Sequence, residues 1–149
     1  MSIDHQTLAG ETLHKFLTIN RFLRQYARQM DEGGVHPRAL AVLRYLTEHN
    51  AGATVGEVQE YLYCSASVAS SVISKLEEAG YVTRTRSSED NRVVIVELTL
   101  AGHALATETP MGGIALLRRR LPLLEPERLA RLNAALADIM ELMEVPETE

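Results

Sequence analysis

Between Ser65 and Gly80 the apolar residues Val68, Ala69, Val72, Ile73 and Leu76 recur at helical spacing. The segment SASVASSVISKLEEAG therefore predicts a short amphipathic helix with Ser65 as its N-cap. Its other face carries Ser67, Ser70, Ser71, Ser74, Lys75 and Glu78. Serine costs a helix about 0.5 kcal/mol per position relative to alanine, and a face that only meets water would use Glu and Lys. Small hydroxyls let a helix lie close to another surface. Each also offers a donor and an acceptor, as phosphate oxygens and base edges in a major groove require. The plain alternative is a surface helix that happens to be rich in serine.

The flanking pattern decides between these. Upstream, Thr54-Val55-Gly56-Glu57 has the S/T-x-x-E form of a capping box, and Val58, Tyr61 and Leu62 follow at helical spacing. Tyr63 and Cys64 leave a connection of the length used in a helix-turn-helix. Downstream, Gly80 suits a left-handed C-cap, and the β-prone runs Tyr81 to Arg86 and Arg92 to Leu98 are separated by the polar turn Ser87 to Asn91. Helix, turn, helix, hairpin is the order of a winged helix. Asp90 and Arg92, two apart at the start of the second strand, put their side chains on one side, where the carboxylate can orient the guanidinium.

Outside this core, Leu13, Phe16, Leu17, Phe22, Leu23, Tyr26, Ala27 and Met30 form a broad apolar stripe on a long first helix, ended by Asp31-Glu32-Gly33-Gly34. Pro37 opens the next helix, with Leu40, Leu43 and Leu46 facing inward, and His49-Asn50-Ala51-Gly52 stops it. After Thr99 the pattern is helical again through Leu105. Pro110 is expected to kink that helix and Gly112 and Gly113 to weaken it before it resumes from Ile114 to Leu121. Glu125-Pro126 starts a last helix striped by Leu129, Leu132, Leu136, Ile139, Leu142 and Met143. The expected fold is mostly α with a small β-hairpin wing (α+β): a single domain over 1–149, with a winged helix-turn-helix over 36–98 and helices over 8–31 and 100–145. Those flanking helices carry more apolar surface than so small a winged helix can cover. A helical dimerisation bundle shared between two chains related by a twofold axis is the natural sink, and a bundle inside a monomer the alternative.

The run from Val55 to Leu105 is similar to the core of the MarR family of bacterial transcription regulators. The likeness includes the D-x-R of the wing (Asp90, Asn91, Arg92) and the following L-T-x-A-G (Leu98, Thr99, Ala101, Gly102). With the flanking helices it covers nearly the whole chain. The resemblance implies a sequence-specific DNA-binding regulator, a repressor foremost, acting as a homodimer on palindromic operators. It also implies that the first helix and the last two make the dimer and that release follows binding of a small ligand or oxidation. Ser65, Ser67, Ser70 and Ser71 are then expected to face the major groove and Lys75 a phosphate. Arg84, Arg86, Asp90, Asn91 and Arg92 of the wing are expected to bind DNA as well, with Arg92 in the adjacent minor groove. Where such recognition helices often carry Arg or Lys, this one has Ser71, so their bidentate guanine contact is not expected here. Ligands of the family imply a cleft lined by His14, Phe16, Tyr26, His36 and Leu43, suited to a small aromatic or phenolic acid.

Composition narrows the rest. The 149 residues are 46% hydrophobic, one domain's worth with a real core. No run reaches a membrane span and MSIDHQTLAG lacks the marks of a secretion signal, so a cytoplasmic chain with no membrane partner is expected. The single cysteine, Cys64, agrees with a reducing compartment and is expected to pack as a small hydrophobe. A net charge of −5 argues against a generic nucleic-acid coat. Between Tyr63 and Val96, however, Lys75, Arg84, Arg86 and Arg92 balance Glu77, Glu78, Glu89 and Asp90. No G-x-G-x-x-G, Walker, C-x-x-C or G-x-S-x-G motif is present, and neither an enzyme nor a cofactor is expected. The histidines are scattered, and no metal site is expected. The one metal alternative joins His36 and His103 with Glu11 or His14. Arg118, Arg119 and Arg120 suit a solvated helix end or a contact to DNA backbone. The readings of other classes are a winged-helix protein-interaction module without DNA and a metal- or redox-responsive regulator.

Overall fold

The computed structural model describes residues 4–147, and the chain divides into two compact units between Pro110 and Met111. The first holds α1 (His5–Glu32), α2 (Pro37–Glu48), β1 (Ala53–Thr54), α3 (Val55–Leu62), α4 (Ala66–Glu78), β2 (Val82–Arg86), β3 (Val94–Leu98) and α5 (Leu100–Glu108). Its core is built from the inward stripes of the short elements: Val42, Leu43 and Leu46 of α2, Val58 of α3, Ile73 and Leu76 of α4, Val82 and Val96 of the sheet, and Ala106 of α5. Leu43, expected along a ligand cleft, is fully buried here, because it lies on the same stripe as Leu40 and Leu46.

Side-chain caps set where these short helices begin. The Arg38 N–H donates to His36 Nδ1 (3.0 Å), the Glu57 N–H to Thr54 Oγ1 (3.1 Å), the Val68 N–H to Ser65 Oγ (3.2 Å) and the Gly102 N–H to Thr99 Oγ1 (3.1 Å). The Thr54 N–H in turn donates to Glu57 Oε2 (3.0 Å), which completes the capping box. Each cap satisfies an otherwise orphaned donor and is worth about 1 kcal/mol.

The sheet is antiparallel in the order β1-β3-β2. Val82 pairs with Leu98, Arg84 with Val96 and Arg86 with Val94, while Ala53 pairs with Val96 on the other edge of β3. Gly52 lets that edge approach. Its φ is +83°, and a Cβ there would sit 2.7 Å from both Ile95 Cγ2 and the Val96 carbonyl oxygen. The wing turn is longer than the sequence suggests: β3 starts at Val94, and the Val93 N–H donates to the Asp90 carbonyl (2.9 Å). Asp90 and Arg92 therefore lie in a turn and not on a strand.

The expected kinked helix from Thr99 to Leu121 is two helices. α5 stops at Glu108, because Thr109, forced out of the helical region by Pro110, is extended (φ −83°, ψ 126°). Arg44 Nη2 donates to the freed carbonyls of Thr109 (3.1 Å) and Pro110 (3.3 Å). The second unit contains α6 (Gly113–Arg120), a single 3-10 turn at Leu121–Leu123 and α7 (Pro126–Leu142). No residue of α1, α6 or α7 is buried, and Leu13, Leu17 and Phe22 of α1 and Leu136 of α7 are each half or more exposed. Among the described residues no helix is long and apolar enough to cross a membrane.

Candidate nucleic-acid interface

α4 turns Ala69, Ile73 and Leu76 into the core, which leaves Ser67, Ser70, Ser71 and Lys75 exposed together on its other side. Ser65 is exposed too, but its hydroxyl oxygen already accepts the Val68 N–H, so its first task is to cap the helix. The connection from α3 runs through Tyr63, whose backbone is left-handed (φ 53°, ψ 47°), and Cys64, which is half-buried.

The wing's arginines divide into two kinds. Arg84 follows Val82 by the alternation of the strand, and Val82 belongs to the core, so Arg84 is carried toward α4. Its Nη2 donates to Ser74 Oγ (2.6 Å), its Nε lies 3.4 Å from Glu77 Oε1, and its backbone N–H donates to Glu77 Oε2 (3.2 Å). Arg84 thereby ties β2 to α4 in place of the outward contact expected of it. Arg86 Nη1 donates to the Asn91 carbonyl (2.7 Å) across the wing turn, and Ser87 Oγ accepts the N–H groups of Glu89 (3.2 Å) and Asp90 (3.4 Å). Arg92 alone of the three points away. Its side chain is 92% exposed, and Asp90 Oδ1 accepts both its N–H (3.0 Å) and its Nε–H (3.3 Å). The Arg84 tie was legible in the sequence through strand alternation: a cation two residues from a core valine shares its face.

Of the five residues expected around a ligand, His36 lines a cleft beside α4. His14 is exposed on α1, Phe16 and Tyr26 are half-buried on the same helix, and Leu43 is in the core. The cleft, of about 520 Å³, lies between the α1–α2 connection and α4, where Asp31, His36 and Arg38 face Ser67, Ser71 and Lys75. Burial lowers the His36 pKa below its usual value, against the pull of the Asp31 carboxylate, with Arg38 and Lys75 adding to the lowering. The His36 Nδ1 is the acceptor that caps α2. The cleft is thus bordered by two cations, Arg38 and Lys75, against one carboxylate, Asp31. Among the described residues no three of His, Cys, Asp and Glu come together as a metal would need, so His36 and His103 form no such cluster with Glu11 or His14.

Two helices joined by a tight turn, a hairpin wing tied to the second helix and a third strand on its edge make this a winged helix-turn-helix protein. The sequence profile of the MarR family matches residues 33–92. The organic hydroperoxide resistance transcriptional regulator of Bacillus subtilis (strain 168) is 30% identical over 145 residues, which is 94% of each chain. The crystal structure of AbsC, a MarR family regulator from Streptomyces coelicolor, has a TM-score of 0.67 and 24% identity, covering 98% of this chain and 99% of AbsC. That of the S. aureus MepR–DNA complex has a TM-score of 0.65 and 18% identity, covering 87% of this chain and 96% of MepR. The chain belongs to the MarR family of transcription regulators, a family of regulators and not of enzymes.

Proposed function

We propose that the protein binds double-stranded DNA as a sequence-specific repressor, as a homodimer on palindromic operators, and that a small ligand releases it. The observation that carries this is the exposed row Ser67, Ser70, Ser71 and Lys75 on α4, with exposed Arg92 on the wing that Arg84 ties to the same helix. A helix so placed reads a major groove while the wing reaches the next minor groove. The exposed apolar residues of α1 and α7 supply the surface of a twofold dimer, which matches half-sites about one helical turn apart. MepR has been crystallised with DNA. With a net charge of −5, affinity has to come from a few well-placed cations.

Selection of genomic fragments by the purified protein tests the reading and supplies an operator. On that operator Lys75→Ala is expected to weaken binding to all sequences alike and to lower the salt slope by about one, because it removes one phosphate contact. Ser67→Ala or Ser70→Ala is expected to alter sequence preference instead. A Lys75→Ala variant that changes only preference overturns the assignment, and binding that is flat with salt points to a protein partner.

The cleft beside α4 is the proposed effector site. A small aromatic or phenolic acid set between Arg38 and Lys75 places its carboxylate where Lys75 would otherwise meet a phosphate, so ligand and DNA compete for one cation. Such acids should raise the melting temperature and lower operator affinity together. A panel that moves neither makes the protein a constitutive regulator.

A further inference from the structure

Four residues at the ends or turns of the first unit's helices have left-handed backbones: Gly34 (φ +94°), Gly52 (φ +83°), Gly80 (φ +82°) and Tyr63 (φ 53°). The three glycines follow ordinary physical chemistry, since a Cβ is strained in that region. Tyr63 does not. It ends α3, its N–H donating to the Glu60 carbonyl (3.3 Å) and that of Cys64 to the Gln59 carbonyl (3.4 Å), at a position where glycine or asparagine is the usual residue. Tyr63 is 90% exposed and so gains almost no packing within the chain to offset the strain. A strained, bulky and unburied residue at one turn, where the first unit uses glycine at three others, calls for a gain outside the fold.

Its place says what that gain is. Tyr63 stands two residues before Ser65, the N-cap of α4, and the N-terminal end of such a helix enters the groove. We propose that Tyr63 contacts the DNA backbone, its phenolic O–H donating to a phosphate oxygen at the edge of the groove that α4 reads. The proposal rests on the DNA-binding reading above. A tyrosine suits the task because its hydroxyl lies at the end of a long, stiff side chain and donates without carrying charge.

The test uses full-length wild type, Tyr63→Phe and Tyr63→Gly on a fragment retained in the genomic selection, titrated at several salt concentrations, with sizing and thermal melts alongside. Both variants are expected to lose about tenfold or more in affinity on specific and unrelated sequences alike, the scale of one hydrogen bond to a charged acceptor. The salt slope should stay that of the wild type, because a neutral hydroxyl releases no counterion, and this separates Tyr63 from Lys75. Tyr63→Gly should melt at or above the wild type, since it relieves the strain. Wild-type affinity in Tyr63→Phe overturns the contact, as does a loss confined to one base position or a Tyr63→Gly protein that melts lower. A wild type that retains no fragment overturns the DNA reading and this contact with it.

Discussion

Gly102→Ala is expected to destabilise the winged-helix unit by about 3 kcal/mol or more, enough to lower its melting temperature by roughly 10 °C or to prevent folding. Gly102 is buried in the first turn of α5. A Cβ there would overlap the Tyr81 carbonyl oxygen and come within 2.9 Å of Leu98 Cδ1. Tyr81 cannot retreat. Its N–H donates to the Leu76 carbonyl (2.9 Å) and its carbonyl accepts the Thr99 N–H (3.1 Å). Thr99 Oγ1 meanwhile donates to the Gly80 carbonyl (2.7 Å) and accepts the Gly102 N–H (3.1 Å). These few bonds join the end of α4, the start of β2 and the start of α5, so a methyl group at their centre has to break at least one of them. Gly10→Ala, on a helix with nothing within 4 Å of the new Cβ, is the matched control and should be neutral or stabilising. Thermal or urea unfolding measures both. A Gly102→Ala protein that melts within about two degrees of the wild type would show that the backbone yields where these bonds say it cannot.

The same knot explains how much of the fold was legible in the sequence. Capping and periodicity are local, and the elements they mark are where the sequence puts them: Thr54 with Glu57, Ser65 before the serine helix, Thr99 with Gly102. What was missed is non-local. β1 has only two residues and exists because Gly52 lets it approach β3, which no window around Ala53 reveals. Arg84 is expected at the DNA as one of several guanidinium groups on the hairpin, although alternation from Val82 aims it at Ser74 and Glu77. The family resemblance implies a ligand cleft at His14, Phe16, Tyr26, His36 and Leu43, whereas the walls of the cleft beside α4 depend on how α2 crosses α4. That crossing buries Leu43 and brings Arg38 opposite Lys75. Asp90 and Arg92 do pair, but through a turn in which one carboxylate oxygen takes both the backbone and the side-chain N–H of Arg92.

That turn gives the wing its largest expected effect on DNA binding. Arg84 and Arg86 are engaged with α4 and with the Asn91 carbonyl, so Arg92 is the wing arginine held outward. An ion pair this exposed adds about 0–1 kcal/mol to stability, so the fold has little use for it. Its geometry nevertheless restricts the guanidinium, because Asp90 Oδ1 fixes the backbone N–H and Nε of Arg92 at once. On the proposed reading, an arginine so presented beside a helix in the major groove is expected to reach the neighbouring minor groove, whose negative potential deepens where A·T pairs narrow it. Arg92→Ala is therefore expected to reduce operator affinity at least about tenfold, equivalent to about 1.4 kcal/mol, with the greater loss on operators with A·T-rich flanks. Its circular dichroism, melting temperature and oligomeric state should match the wild type. Asp90→Ala should act in the same direction but less, since the charge remains and only its orientation is lost. DNA titration and sizing of the two variants decide the matter: a well-folded Arg92→Ala protein with wild-type operator affinity would leave the wing without its proposed role.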